Sequence, residues 1–264
     1  NLIRYSFVPS KDIYDLRQLT RKRTDYVKRQ TSIVNQLKSR LEGNCPSITI
    51  PLNNIRSVFV QEFLRKWGTP TLSFAEFVKQ VKPVQSRGAL ERRKEELLPF
   101  WDNPPRKTVL FLLQEDVELY ALYETKIQKI TTVIYDLLAG EEELRTALKR
   151  LTSIPGIGKL TAATVIAEYG TVKRFDTGTA AAASCGLTPR LKGSGGKTRS
   201  GHITKHGPSN VRRVLYVAAK NIIQRSDKYK AIFSRIKERR GGRIALVAIA
   251  RKLAELCWLL WSKD

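Results

Sequence analysis

Ser194 lies within "GLTPRLKGSGGKTRSGHITKHGPSN", residues 186–210, with Gly193 before it and Gly195 and Gly196 after it. The charged side chains here, from Arg190 to Lys205, are all positive, and no acid occurs between Asp176 and Asp227. A serine hydroxyl is a poor nucleophile until its surroundings activate it. Glycines on both sides remove side-chain bulk, so a backbone phosphate could approach Ser194 closely. Lys192, Lys197, Arg199, Lys205 and, from the next helix, Arg212 and Arg213 could stabilise a pentacovalent phosphorus centre. His202 and His206, the only two histidines of the chain, could move protons. Thr198 and Ser200 also fit the spacing as nucleophiles. A flexible loop that grips phosphate without chemistry would use the same residues, and Gly-Ser-Gly is a common linker sequence.

The second chemical pattern is "LTSIPGIGKLTAATVIAEYG", residues 151–170. Helix, Pro155-Gly156-Ile157-Gly158, helix is a helix-hairpin-helix pattern. Gly156 and Gly158 permit a tight turn, Ile154 and Ile157 seal it, and bare amides from Lys159 onward could bind a phosphate. A plain helix hairpin that serves the core is the alternative. His202, His206 and Cys185 form weak grounds for zinc, because the thiol is distant and the segment irregular. Cys45, Cys185 and Cys257 lack metal spacing and suit small core positions in a reducing cytoplasm. Trp258 and Trp261 lie in an apolar helix and suit the core better than a base-stacking platform.

The elements that must position these residues belong to a chain of 264 residues with 48 Lys+Arg against 24 Asp+Glu, a formal charge of +24. Such an excess calls for a polyanionic partner, with nucleic acid leading. Residues 171–264 hold 21 basic and 5 acidic side chains, so the basic face belongs mostly to the C-terminal part. No uncharged apolar run approaches the ~18 residues of a membrane span, and no signal peptide or lipidation signal is visible. The chain starts at Asn1 and holds no methionine, which reads as an excised fragment or as a sequence with segments closed up.

Residues 11–42 read as one long helix, ended by Pro46 and Pro51. Residues 54–100 read as shorter helices, with Ser73 as an N-cap and one helix over "SRGALERRKEELLPF". A second long helix covers 105–138, with Tyr120, Tyr123, Ile127, Ile130, Ile134 and Leu137 at 3/4 spacing, a coiled-coil seam. Pairing of the two long helices and a plain helical bundle are both open. Then follow helices at 141–152, 159–169, 178–185, 209–224, 227–238 and 243–262, with a short β-ribbon possible near 186–206. The fold class is mostly α.

The segments "SIPGIGKLTAATVIAEYG", "RFDTGTAAAASCGLTPR", "SGGKTRSGHITKHG", "NVRRVLYVAAK" and "GGRIALVAIARKL", in that order, resemble the transposase domain of bridge-RNA-guided insertion-sequence recombinases. These transposases pair a RuvC-like DEDD domain with a serine-bearing domain. "SFVPSKDIYDLRQLTRKRTDYVKRQTSIVNQLKSRLE" looks like the start of their coiled coil. The resemblance covers nearly the whole chain, is specific in 152–254 and is weakest in 43–104. It implies that Ser194 forms a covalent phosphoserine link with DNA. It also implies a structured guide RNA and dimers that assemble into a tetramer. A divalent metal, Mg, is implied on four carboxylates of a domain upstream of Asn1, so none is expected on this chain.

The expected organisation is a coiled-coil, oligomerisation region at 1–140 with a helical insert at 43–104, then a transposase domain at 141–264. The expected function is a DNA transposase of the prokaryotic cytoplasm, associated with the nucleoid during reaction and inactive as this fragment alone. Ser194 is its nucleophile. Lys192, Lys197, Arg199, Lys205, Arg212 and Arg213 are its phosphate ligands, with a backbone clamp at Gly156, Gly158 and Lys159. The alternatives are a non-catalytic nucleic-acid-binding and oligomerisation module and, less in keeping with the charge distribution, a coiled-coil scaffold.

Overall fold

The computed structural model describes residues 7–49, 52, 54–69, 71–81, 85–194 and 197–263, with backbone alone at 49, 85 and 191–200. The described residues are mostly helical: twelve α-helices and one two-stranded antiparallel sheet. They divide into two compact units, Asn1–Thr24 with Ile130–Asp264 (unit 1) and Asp25–Lys129 (unit 2). Two 34-residue helices, α1 (Lys11–Asn44) and α6 (Lys107–Gly140), belong partly to each.

In unit 2, α1 and α6 run antiparallel. Tyr26 meets the Tyr123 ring at 5.7 Å, Gln30 Nε2 donates to Glu124 at 2.6 Å, and Arg40 Nε donates to Asp116 at 2.8 Å. Four short helices share this core: α2 (Val58–Lys66), α3 (Phe74–Gln80), α4 (Gln85–Glu91) and α5 (Lys94–Asp102). Their centre is aromatic. Phe77 stacks on Trp101 at 4.6 Å, and Phe63 lies against both Trp67 and Trp101. Each of these large buried side chains is worth about 1.5–3 kcal/mol. The indole N–H groups of Trp67 and Trp101 donate to the Phe100 and Leu72 carbonyls, so burial leaves neither unpaired. Ser73 caps α3 in a reciprocal box with Glu76, as its sequence position predicts. The single helix expected over 86–100 is two, interrupted at Arg93, whose φ/ψ of −110°/13° is not helical.

Unit 1 holds α7 (Glu142–Thr152), α8 (Lys159–Tyr169), α9 (Gly178–Ser184), β1 (Pro189–Ser194), β2 (Lys197–Ile203), α10 (Ser209–Arg225), α11 (Asp227–Arg240) and α12 (Gly242–Trp261). Its share of α1 and α6 is also joined: Arg23 Nε donates to Thr131 Oγ1 at 2.8 Å, and Ile13 and Leu16 share a core with Ile134 and Leu138. The middle of unit 1 is α8, where every residue from Ala162 to Tyr169 is buried. A helix stretch buried on all sides requires neighbours on all sides. Alanines of α8, α9, α10 and α12 fill the same core and allow these helices to come close. The Tyr169 hydroxyl ends in this core by donating to the Ala254 carbonyl at 2.9 Å. Cys185, Cys257 and Trp261 are buried there, as expected.

Candidate nucleic-acid interface

The predicted β-ribbon is present as the hairpin β1–β2, and its root is tied at several points. The Thr204 amide donates to the Thr188 carbonyl at 2.9 Å, and the Lys205 amide donates to Gly186 at 3.1 Å. Lys205 has φ +56°, the one left-handed non-glycine among the described residues. Gly207 has φ +94°, and a Cβ there would overlap the Ser184 carbonyl oxygen, so glycine is required. Arg212 Nη1 donates to the Cys185 carbonyl at 3.0 Å and the Gly207 carbonyl at 2.8 Å. Arg212, expected to hold phosphate, therefore joins the two chain segments that enter and leave the hairpin.

Along the ladder, Leu191 pairs with Ser200, Lys192 with Arg199, Gly193 with Thr198 and Ser194 with Lys197. Opposed residues share a face of a sheet and successive residues alternate. Positions 192, 194, 197 and 199 thus occupy one face, and 191, 193, 198 and 200 the other. The side chains of Lys192, Ser194, Lys197, Thr198, Arg199 and Ser200 lie outside the described residues. His202 in β2 and His206 after it are exposed, as is Lys205.

A turn at 153–158 joins α7 to α8. Ile154 and Ile157 are buried, and the Ile157 amide donates to the Ile154 carbonyl at 3.0 Å. Its two glycines differ. Gly156, at φ +91°, faces α10, where a Cβ would come within 2.9 Å of the Ile222 nitrogen. Its lack of a side chain is explained by packing. Gly158 is the N-cap of α8, a Cβ there would meet no neighbouring atom, and no side chain of the cap bonds the amides that follow. Lys159 is exposed, with Nζ 5.8 Å from the Tyr135 ring centre.

Arg213 is exposed and lies with the first turn of α8 rather than with Arg212. A cleft of about 180 Å³ is lined by Thr20, Arg23, Leu160, Thr161, Thr164 and Arg213, and Arg213 Nη2 donates to Thr24 Oγ1 at 3.3 Å. The structure thus places Arg213 beside α1 and the first turn of α8.

A further cationic cluster escapes sequence reasoning. Glu168, almost wholly buried, accepts Nε and Nη2 of Arg21 at 2.9 and 2.8 Å, a fork geometry. That bond raises the Arg21 pKa above its ordinary value. Arg17 lies 3.7 Å from the same carboxylate, and Arg174 Nη1 approaches the Glu168 and Tyr169 carbonyls at 3.5 Å. Burial, and then the Arg17 charge, hold the Arg174 guanidinium below its ordinary pKa. Its distance in sequence hides the cluster: Arg17 and Arg21 lie in the basic run of α1, about 150 residues from Glu168.

No group of three or more His, Cys, Asp or Glu side chains gathers among the described residues. They supply no donor set for the divalent metal that the resemblance implies.

The hairpin, the turn before α8, Glu168, Arg174, Arg212 and Arg213 fall in the stretch that comparison with known proteins picks out, whereas Arg17 and Arg21 lie outside it. Residues 148–234 match the Transposase IS116/IS110/IS902 family. The match runs from α7 through the turn, α8, the hairpin and α10 into α11. The chain is 29% identical over 157 residues to a probable family 20 transposase of Pseudomonas aeruginosa, 58% of this chain and 45% of that protein. It is 35% identical over 134 residues to the transposase for insertion sequence element IS1111A of Coxiella burnetii, 47% of this chain and 37% of that protein. A longer, weaker likeness, 23% over 269 residues, joins 96% of the chain to 64% of an insertion element IS116 uncharacterized protein of Streptomyces clavuligerus. The chain thus spans less than half the length of most of the curated transposases it matches. No helix among the described residues is long and apolar enough to cross a membrane.

Proposed function

We propose that the chain is part of a DNA transposase whose hairpin carries the nucleophile, Ser194. The ladder register supports this reading: backbone positions 192, 194, 197 and 199 share one face, and positions 198 and 200, which carry the rival nucleophiles, share the other. A phosphodiester docked on the first face meets one hydroxyl position and three cationic ones. Ser194 Oγ attacks phosphorus, the Oγ–P bond forms, and one P–O ester bond breaks. The departing sugar oxygen takes the proton that serine gives up, and His202 and His206 are the candidates to carry it. The cations offset the charge that grows on the phosphorane. Arg212 and Gly207 fix the hairpin to the helical core, which limits the orientations open to the face. The amides after Gly158, with Lys159 and Arg213, hold a backbone phosphate elsewhere on the DNA.

The resemblance adds three parts to this reading: a structured guide RNA, assembly from dimers to a tetramer, and a carboxylate domain that holds Mg.

Ser194→Ala in the full-length gene product, given a nicked DNA substrate, tests the nucleophile. Binding falls by no more than one hydrogen bond, about 0.5–1.5 kcal/mol, or roughly tenfold at most. Strand transfer and the denaturation-resistant DNA adduct both disappear. An adduct that persists, or that maps by peptide mass to Thr198 or Ser200, refutes the assignment. Recombination by wild type without any adduct refutes the covalent mechanism.

A further inference from the structure

The cleft at the hairpin root is lined by Arg17, Arg21, Arg174, Glu168, Ser184 and Pro208, among others. Glu168 is the one carboxylate in that lining, so the cluster carries three guanidinium charges against one negative charge. Arg21 satisfies Glu168 with a fork of two bonds. Arg17 spends Nε on the Ala167 carbonyl at 2.9 Å, and its Nη2 is buried with no hydrogen-bond partner among the described residues. A buried donor left unmatched is costly and asks for an acceptor. Arg174 makes two long approaches to main-chain carbonyls, and its guanidinium lies over the Phe7 and Phe175 rings at 4.8 and 5.1 Å, contacts that leave N–H groups for an anion. Ser184 and Pro208 flank the hairpin on its two sides, and α10 starts beside them without a side-chain cap. The positive end of that helix adds to the cluster's field.

We propose that this cleft binds a phosphate monoester, the doubly charged phosphate at the end of a strand or on a small molecule. Charge selects it: the cluster's net of two positive charges matches a dianion, whereas a diester inside a strand brings one. Size agrees. The cleft holds about 180 Å³, below the ~300–1,000 Å³ of pockets that enclose whole drug-sized ligands. At ~30 Å³ per water, that is a phosphate head with a few waters. The rest of the ligand stays outside. The site needs no nucleophile and stands whether or not Ser194 reacts.

The test is calorimetric titration of the purified chain with methyl phosphate and, separately, dimethyl phosphate at constant ionic strength. Methyl phosphate is expected to saturate one site and dimethyl phosphate to bind several-fold more weakly. Arg174→Gln is expected to weaken methyl phosphate by about tenfold or more, the loss of a charged hydrogen bond. Lys228→Gln, which removes one positive charge from α11, is expected to change nothing. Ser184→Asp keeps every arginine and puts a negative charge at the rim, and it is expected to abolish binding, so the test survives if Arg174→Gln fails to fold. Equal losses in Arg174→Gln and Lys228→Gln, or equal affinity for the two esters, overturn the proposal. A single-stranded oligonucleotide with and without a 5′-phosphate identifies the source. An advantage for the phosphorylated strand that Arg174→Gln removes assigns the site to strand ends. Equal binding of the two strands beside saturable methyl phosphate assigns it to a small phosphate compound.

Discussion

At the scale of single residues, the core of unit 1 contains acids that have no use for charge. Burial pushes the Cys185 thiol from an ordinary 9.0 to about 11, and pushes Cys257 and Tyr169 up as well. Below pH ~9 Cys185 is protonated in both the folded and unfolded chain, and its contribution to stability is complete. Above that the unfolded chain releases the proton while the folded one retains it, so stability falls as pH rises towards 11. For Cys185 the loss is roughly 2–3 kcal/mol over that window. Urea unfolding at pH 8 to 11 will show a falling midpoint, and Cys185→Ala will show a smaller fall. The sequence makes Cys185 and Cys257 legible as core thiols from their small size and their lack of metal spacing. It does not show that Arg212 ties two carbonyls, because a cation beside a basic hairpin reads the same with or without that structural bond. Arg17, Arg21 and Arg174 stay hidden for another reason: only the fold brings them to Glu168.

At the scale of elements, boundaries follow local chemistry closely where glycines bracket a helix. α8 spans the expected 159–169, between the open Gly158 and Gly170 at φ +79°. The split between α4 and α5 goes unread, since "ALERRKEELL" is made of good helix formers. There the packing of Leu90, Leu97 and Trp101 in the unit 2 core outweighs propensity. The hairpin is legible as a ribbon, but its root is not. Arg212→Ala will remove two charged bonds to carbonyls, for a cost of about 2 kcal/mol or more. Hydrogen exchange will quicken at the Thr204 and Lys205 amides, which hold that root, while α2–α5 remain as protected as before. Unchanged exchange at these two amides would show that the glycines hold the root without Arg212.

At the scale of the whole molecule, net charge and fold class are plain in the sequence, and the compact units are not. α1 and α6 are each one continuous helix although each serves two cores, so no break in helix marks the boundaries at Thr24 and Ile130. The excess charge makes a prediction of its own. If about six phosphates of duplex DNA are neutralised, log K falls with log salt at a slope near −5. Binding measured from low to moderate salt checks this, and a slope shallower than about −2 would show that the basic surface is not the binding face. The bond from Arg23 to Thr131 has a consequence for descent. The chain leaves unit 1 beside the point where it returns, so residues 25–129 form a parenthesis whose two ends share one doorway. A lineage can lengthen, shorten or replace what lies inside without altering the spacing of α7 to α12. The hairpin root has no such latitude, since at Gly207 one added methyl group already has nowhere to go.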